Sequence, residues 1–386
     1  MIAGSLKDHI DRLVRLAATP EPILTTAALY GANASGKTNF IRALQFMANA
    51  VEFSHTRWQP DQRIPRQPFA SVPDRDRPSE FIIDFILDGV RYQYGFLVSD
   101  TTVLKEWLYA YPKGKRQAWF SRRSSAPMSF SEKMPGENKT IEALTRQNSL
   151  FLSTAAQNNH PALSPIHRWF SGSLTFVLAE RSSGTFNAAS FCADPVRCEA
   201  ISRMVAHADL GVSSLRVSDG EGMPELMASP KQVQLLHRLG DEVLPFETDQ
   251  ESHGTIVYLT LLGPIISTLE SGGVLCMDEI DASLHPLLAL RLIELFGEPS
   301  LNSKHAQLVF NTHDTNLLSR GGLRRDQIWF AEKKRDGSSQ IYPLTDFQPR
   351  KDENIANGYL QGRYGAIPFL NSELLSPNGG TEHGEA

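Results

Sequence analysis

The chain has 386 residues, of which 41% are hydrophobic and 21% charged, a composition typical of globular proteins with a sizeable core. Its net charge of −5 excludes a strong overall attraction to nucleic acid or anionic membranes, although a local basic patch is compatible with it. The three cysteines form neither a CxxC pair nor a Cys/His cluster, which excludes a zinc site of the usual spacing and favours a reducing compartment. They are Cys192, Cys198 and Cys276.

The hydrophobic pattern predicts no membrane segment and no secretory signal. The most apolar stretch, residues 256–269, is short and is interrupted by Gly263 and Pro264, so we expect it not to span a bilayer. The N-terminus lacks a basic region followed by an apolar run. We therefore expect a cytoplasmic protein without a membrane partner.

The first elements surround a glycine-rich loop. Residues 2–16 have the pattern of an amphipathic helix, and residues 23–30 are β-prone. The loop 31–36 follows directly, and apolar residues at helical spacing predict a helix after it. Further along, residues 59–79 predict an exposed connection, and 81–87, 91–98 and 102–109 predict antiparallel strands with a hairpin turn at Asp88-Gly89.

The second half predicts an α/β organisation. Residues 138–239 look mainly helical, without a long heptad run. From residue 254 onward, helices and strands alternate, which indicates a parallel sheet. We divide the chain into 1–137 with the glycine-rich loop and antiparallel strands, 138–239 as a helical insertion, 240–370 as the second half of the α/β domain, and 371–386 as a disordered tail.

One segment fits the phosphate-binding pattern GxxxxGK[ST] at every fixed position. It reads Gly31, Ala32, Asn33, Ala34, Ser35, Gly36, Lys37 and Thr38, and we add the next residue, Asn39, to the candidate site. Glycines let the backbone N–H groups approach phosphate oxygens, and the following helix adds its positive end. We expect Lys37 to reach the β and γ phosphates and the Thr38 hydroxyl to bind Mg²⁺.

A downstream apolar strand, residues 274–277, ends in Asp278 and Glu279. Ligands bind at the carboxyl ends of buried parallel strands. We expect Asp278 to hold Mg²⁺ through water and Glu279 to orient or deprotonate the attacking water. Two acidic residues at a strand end are common, so this prediction depends on the phosphate loop.

A second apolar strand, residues 307–311, is followed by Thr312 and His313. A histidine at this carboxyl end is placed to contact the γ-phosphate and report its loss. A lone histidine is more often a surface or core residue. The two other motifs favour the functional interpretation of His313.

The order of these motifs resembles that of ABC-type ATPases, including SMC-like and DNA-repair members. The strings SHGT at 252–255, DEIDASLHP at 278–286 and GRYGAIPF at 362–369 look like those of abortive-infection ATPases of the RloA/AbiL kind, and the similarity covers nearly the whole chain. It implies a phosphate-loop NTPase fold of the ABC ATPase type, with a mixed sheet, an antiparallel β subdomain and a helical insertion. It also implies ATP and Mg²⁺ as cofactors.

The resemblance implies further site residues and partners. Residues 251–255 stand where such proteins have their LSGGQ-like signature, and Ser252 and Gly254 agree with that signature. In such proteins the signature contacts ATP held by the opposite subunit, so the resemblance implies an ATP-dependent homodimer. A plain helix cap is the alternative. Residues 281–285 resemble the D-loop, which is equally an ordinary helix entry with Ser283 as N-cap. Gln157 resembles the Q-loop glutamine, and nearby Gln147 is the alternative candidate for that position.

One departure concerns the N-terminus. Members of the family usually carry a strand with an Asn-Phe-x-Ser-like segment before the phosphate loop, and residues 1–22 contain none. We therefore expect either a misassigned start or the loss of an edge strand and part of the adenine-binding surface.

The leading hypothesis is a Mg²⁺-dependent ATPase in bacterial defence against phage, acting with a separate effector such as a nuclease. A DNA-repair ATPase and a nucleotide-binding scaffold without turnover are the alternatives. A basic cluster around Trp119 and Phe120 suggests a nucleic-acid-binding surface. The alternative is a solvent-exposed hairpin without a binding role. Its members are Lys113, Lys115, Arg116, Arg122 and Arg123.

Overall fold

The computed structural model describes residues 1–6, 8–71, 75–178, 192, 194–208, 211–218, 232–319 and 322–368. Within these ranges the strands are β1 (Thr26–Tyr30), β2 (Ser79–Leu87), β3 (Val90–Val98), β4 (Val103–Tyr111), β5 (Gln117–Arg123), β6 (Ala126–Phe130), β7 (Leu174–Val177), β8 (Val212–Ser218), β9 (Gln232–Leu239), β10 (Glu242–Phe246), β11 (Val274–Met277), β12 (Gln307–Asn311), β13 (Ile328–Lys333) and β14 (Ser339–Pro343). The helices are α1 (Lys37–Phe53), α2 (Asn138–Leu144), α3 (Phe151–Gln157), α4 (Leu163–Gly172), α5 (Pro195–His207), α6 (His253–Ser271), α7 (Pro286–Gly297), α8 (Asn316–Ser319) and α9 (Ile355–Leu360).

The central sheet has six strands in the order β14-β13-β1-β12-β11-β7. All neighbouring strands are parallel except β14, which runs antiparallel to β13. Leu29 of β1 pairs with Asn311 of β12, and Met277 of β11 pairs with Phe310. The carboxyl ends of β1, β12 and β11 therefore lie side by side, as the alternating pattern predicts.

Helices cover both faces of this sheet. Leu275 and Met277 of β11 belong to the large core with α6 and α7. Cys276, between them in sequence, packs with Ile41 of α1 and with Leu178. Because successive side chains of a strand point to opposite faces, α1 lies on the face opposite α6 and α7. This layering buries β11 on both sides, which explains its continuous apolar sequence.

A separate antiparallel sheet has the order β2-β3-β4-β5-β6. The predicted hairpin at Asp88-Gly89 is confirmed: Leu87 pairs with Val90, and both turn residues have positive φ, 48° and 73°, as a two-residue hairpin turn requires. Helices α2, α3 and α4 accompany this sheet; the Phe85 and Trp169 rings stack with centroids 4.2 Å apart.

The expectation of a mainly helical segment at 138–239 is wrong in its second part. Strand β7 belongs to the central sheet, and β8 and β9 form a three-stranded sheet with β10. Val212 and Leu215 in β8 and Val233 and Leu235 in β9 contribute to the core, with α5 packed against β8. Alternating apolar residues favour extended backbone here over helix.

The N-terminal expectation is also wrong. Residues 2–16 form no amphipathic helix; within the described part of this segment there is one 3-10 turn, Ile10–Arg12. Ile2 and Val14 instead form isolated antiparallel bridges with Ile23. Buried Arg324 and Asp326 explain the extended path, because Gly4 N–H donates to Asp326 at 2.9 Å and Arg324 donates to the Asp8 carbonyl. Tertiary hydrogen bonds therefore replace the local helical ones.

Two further expectations meet the structure here. Helix α6 is long and apolar enough to cross a membrane by length and composition, but half of its most apolar stretch is buried inside the protein, so it is weak evidence for a membrane segment.

Cys192 and Cys198 are joined in a disulfide, a pairing that the sequence did not predict. The predicted tail at 371–386 lies outside the described residues.

Candidate active site

The phosphate loop connects the end of β1 to the start of α1. Gly31 and Gly36 have positive φ, 155° and 103°, a region that L side chains rarely adopt. A Cβ at Gly31 would collide with the carbonyl oxygen of Ala331, and one at Gly36 would collide with the hydroxyl of Ser339. Glycine is therefore required at both positions, by φ and by close neighbours.

Lys37 is folded back onto this loop. Its Nζ donates to the carbonyl oxygens of Gly31 at 2.8 Å and Ala32 at 3.0 Å. Burial lowers the pKa of Lys37, and the nearby carboxylates of Glu279 and Asp278 oppose that shift. The ammonium group thus lies inside the loop, where an anionic ligand would stabilise its charge.

The loop and the acidic pair meet through hydrogen bonds. Thr38 Oγ1 donates to Asp278 Oδ1 at 2.9 Å. The same carboxylate accepts from the side-chain amide of Asn311, whose Oδ1 accepts the backbone N–H of Glu279 at 2.7 Å. Residues 240 positions apart in sequence are thereby held in one arrangement. It contains the two oxygen groups, Thr38 and Asp278, that the sequence predicts for Mg²⁺.

Glu279 and His313 flank the loop from the neighbouring strand ends. Glu279 has a φ of 54°, a strained value for a residue other than glycine and one that recurs at functional sites. Burial lowers the pKa of His313, and the cation of Lys37 lowers it further, while Asp281 and Glu279 act in the opposite direction. At neutral pH His313 is therefore a neutral imidazole that can donate or accept a hydrogen bond.

These residues enclose a cavity of about 520 Å³, a size suited to a small-molecule ligand. Its lining combines seven loop and helix residues with the two predicted catalytic side chains and one further lysine. They are Asn33, Ala34, Ser35, Gly36, Lys37, Thr38, Asn39, Glu279, His313 and Lys333. The structure thus brings most of the predicted site together, and Gly31 and Ala32 contribute through their carbonyls to Lys37.

Asp278 is not in the lining itself but bonds to Thr38, which is, and three other predicted residues lie away from the cavity. Gln157 is exposed at the C-terminal end of α3. Ser252 is the N-cap of α6, where its Oγ accepts the Thr255 N–H at 3.1 Å, which is the plain helix-cap role. Gly254 follows in the first turn, and its Cα faces the carbonyl of Ser283. The signature-like segment is therefore next to the D-loop-like segment of the same chain.

The helix entry after Glu279 differs from the prediction in one residue. His285, and not Ser283, is the N-cap of α7: its side chain accepts the Leu287 N–H at 3.3 Å. Ser283 instead has a φ of 61°. Pro286 opens the helix, because its fixed φ and missing N–H suit the first turn.

Sequence reasoning missed Asn311 and Lys333. Asn311 is fully buried at the end of β12, and a polar residue closing an apolar strand two positions before His313 was a usable signal. No sequence signal pointed to Lys333, because it is the last residue of β13 and no motif includes that strand.

The GRYGAIPF string has a packing role in the described part, 362–368. The Tyr364 ring stacks on Phe330 of β13 with centroids 5.6 Å apart. Its hydroxyl donates to Glu353 at 2.6 Å, and its carbonyl accepts from the Tyr342 hydroxyl at 2.8 Å. Arg363 also donates to Glu353. The string therefore secures β13 and β14 beside the phosphate loop.

The basic cluster at 113–123 is only partly available as a surface patch. Arg122 is buried, with a guanidinium nitrogen 3.6 Å from the carboxylate of Glu106, and Phe120 is in the core. The Arg116 guanidinium lies over the Tyr109 ring. This favours the hairpin interpretation, since a stacking platform needs exposed aromatic faces.

The fold and the cavity define a class. A parallel-dominated sheet with a glycine-rich loop between β1 and α1, and acidic residues at the end of a neighbouring strand, is the arrangement of a phosphate-loop NTPase. Residues 27–319 match the family model described as an AAA domain, putative AbiEii toxin, type IV toxin–antitoxin system. The match spans more than half of the chain, and the protein belongs to this family of AAA-type ATPase domains. A search of curated proteins finds no match.

Proposed function

We propose that the protein binds ATP with Mg²⁺ in the cavity at the phosphate loop and hydrolyses it. The observation that carries this proposal is the hydrogen-bonded series Thr38, Asp278, Asn311 and Glu279, which joins the phosphate loop to the acidic pair. A nucleotide-binding loop alone would need no such connection.

The residues present fit both cofactors. The loop is shaped as a cradle that a Cβ at Gly31 or Gly36 would fill. Among the described residues no group of three or more His, Cys, Asp or Glu side chains is placed to hold a metal ion. Thr38 and Asp278 nevertheless offer the oxygen ligands that Mg²⁺ prefers, and Mg²⁺ commonly completes its shell with phosphates and water. When bound, it would neutralise phosphate charge.

The protein side chains bind the phosphates and activate the attacking water. Lys37 exchanges its bonds to the Gly31 and Ala32 carbonyls for phosphate oxygens. Glu279 orients the attacking water and accepts its proton, and the neutral imidazole of His313 contacts the γ-phosphate. In this scheme Asn311 is a positioning residue, because it touches Asp278 and Glu279 and not the ligand.

Comparing turnover of the wild type and Glu279→Gln tests hydrolysis. We expect the variant to bind ATP normally and to lose most turnover. Glu298→Gln, a change of an exposed glutamate just after α7, is the matched control and should behave as wild type. Equal, measurable turnover in all three proteins would reject Glu279 as the catalytic base, whereas ATP binding without turnover in any of them would favour a scaffold.

We further propose that the ATPase is of the ABC type and that ATP is shared between two copies. Ser252 and Gly254 lie at the start of α6, outside the lining of the cavity in their own chain. Support comes from the resemblance of 251–255 to the signature, which in such proteins meets the nucleotide of the opposite subunit.

Mixing two inactive variants tests the shared site. Lys37→Ala removes the phosphate loop's lysine, and Ser252→Arg blocks the signature-like helix start. In a head-to-tail dimer the mixed pair contains one intact site, so we expect mixing to restore turnover that neither variant has alone. Sedimentation of Glu279→Gln with ATP provides the second readout. A monomer at saturating ATP, together with no restoration on mixing, would contradict the dimer.

For the biological role we propose defence against phage in the cytoplasm, with a separate effector such as a nuclease. Support comes from the resemblance to abortive-infection ATPases of the RloA/AbiL kind and from the toxin–antitoxin description of the matching family. Phage plaque counts on cells carrying the wild type or Glu279→Gln with the neighbouring genes test it. Equal plaque counts with and without the gene set would count against defence.

A further inference from the structure

Lys333 is a cation at the phosphate loop that none of the motifs contains. It ends β13 and lines the same cavity as residues 33–39, Glu279 and His313. The turn between β13 and β14 places it there, so the strand-loop-helix motif alone does not account for its position.

The face of the β13–β14 hairpin that carries Lys333 points at the phosphate loop. Lys333 pairs with Ser339 across the two strands, and directly paired residues project their side chains to the same side of a sheet. The Ser339 hydroxyl lies where a Cβ on Gly36 would be. Lys333 therefore shares the side of the hairpin that contacts the loop.

The hairpin is held firmly in this position. The Ala331 carbonyl packs on Gly31, and Glu332 Oε1 accepts the Ala366 N–H at 3.3 Å. At the tip, Lys334 N–H donates to the Ser338 carbonyl at 2.7 Å. Because the backbone that carries Lys333 is already ordered, a bound ligand has only the side chain itself to immobilise.

Among the residues that the structure describes, Lys333 forms no ion pair. The acidic residue of the tip, Asp336, accepts hydrogen bonds from Ser338 N at 2.9 Å and Oγ at 2.7 Å. Lys37 is the other ammonium group of the cavity and bonds loop carbonyls. A polyphosphate carries more negative charge than one ammonium group offsets.

We propose that Lys333 is a second phosphate-binding cation, presented to the phosphate chain of the nucleotide by the β13–β14 hairpin. This inference rests on the proposed function of the cavity. It assigns Lys333 to binding and to preference for longer phosphate chains, whereas Lys37 remains the lysine of the loop itself.

Binding of ATP, ADP and AMP to the full-length protein, measured by calorimetry, tests this assignment. We expect Lys333→Ala to weaken ATP binding about tenfold, as for the loss of one charge-assisted contact. The effect should be smaller for ADP and smallest for AMP. Lys333→Arg should keep most of the affinity. Lys334→Ala, a neighbouring change in the same hairpin, is the matched control and should bind like wild type.

Each other result contradicts the proposal in a distinct way. An equal loss for ATP, ADP and AMP would place Lys333 at a group that all three share, the α-phosphate, ribose or base, and would contradict a preference for longer phosphate chains. An equal effect of Lys333→Ala and Lys334→Ala would reduce it to general surface charge. If wild type binds ATP and Lys37→Ala does not, but Lys333→Ala binds normally, this inference fails while the proposed function stands. If wild type binds no nucleotide, both fail.

Discussion

The side-chain oxygen of Asn311 accepts the backbone N–H of Glu279 at 2.7 Å. Its amide nitrogen also donates to Asp278, so one buried side chain positions both acidic residues. We expect Asn311→Ala to reduce ATP turnover by about 10- to 100-fold, the usual effect of losing a group that orients metal or catalytic ligands. ATP binding should change much less, because the phosphate loop is intact.

Asn302→Ala is the control for this prediction. Asn302 is equally buried and bonds to the Phe296 and Ala306 backbones, far from the acidic pair in the chain. It should lower stability and leave the turnover of folded protein unchanged. Similar turnover losses in both variants would mean that Asn311 acts through stability alone.

Thr38→Val should separate Mg²⁺ dependence from nucleotide binding. The Thr38 hydroxyl donates to Asp278 at 2.9 Å, and valine keeps its shape without the oxygen. We expect ATP affinity in the presence of Mg²⁺ to fall to the level seen with a chelator, whereas Thr38→Ser should retain the Mg²⁺ effect. Titrations with and without Mg²⁺ measure this. A full Mg²⁺ effect in the valine variant would remove Thr38 from the metal site.

Glu106→Ala should destabilise the antiparallel sheet and α3. The buried carboxylate accepts the backbone N–H of Phe151 at 2.6 Å and of Leu152 at 3.0 Å, and the Tyr94 hydroxyl at 2.9 Å, beside the buried Arg122. Removing it leaves these donors buried without an acceptor, at a cost of about 3–5 kcal/mol in the free energy of unfolding. Urea denaturation measures it; a loss of less than about 1 kcal/mol would contradict the buried network.

Glu106→Gln should reveal the protonation of this carboxyl. Burial raises the pKa of Glu106 above 4.5, against the opposing effect of Arg122. A raised folded-state pKa stabilises the fold below the unfolded pKa, and this contribution is lost as pH rises through the folded pKa. Wild type should therefore lose stability relative to Glu106→Gln as pH rises above 4.5. A constant difference between the two proteins across that range would show that the pKa is unchanged by folding.

The thiol of Cys276 should be unreactive in the folded protein. It is buried between β-sheet and α1, and burial raises its pKa to about 12. Since the thiolate is the reactive form, alkylation at pH 8 should be negligible until the protein unfolds. Mass spectrometry after iodoacetamide treatment, with and without urea, measures this. Rapid labelling of native protein at Cys276 would show that β11 opens.

Prediction from sequence succeeded where the signal is local. The phosphate loop, the apolar strand before Asp278 and the hairpin turn at Asp88-Gly89 each depend on short-range patterns of glycine, apolar residues and turn residues. It failed at residues 2–16, where local helical periodicity is overridden by hydrogen bonds to Arg324 and Asp326 more than 300 positions away. It also failed at 212–218 and 232–239, which form strands where a mainly helical segment was expected.

The sequence by itself determined that a loop able to hold phosphates follows one strand. It also determined that acidic residues follow a second strand and that His313 follows a third. Only the tertiary structure decided that Asn311 links Asp278 to Glu279 and that the β13–β14 hairpin brings Lys333 over the loop. The physical reason is that the first features are set by backbone conformation and residue type within a few positions. The others depend on strand order and register, which place residues from distant segments at hydrogen-bond distance.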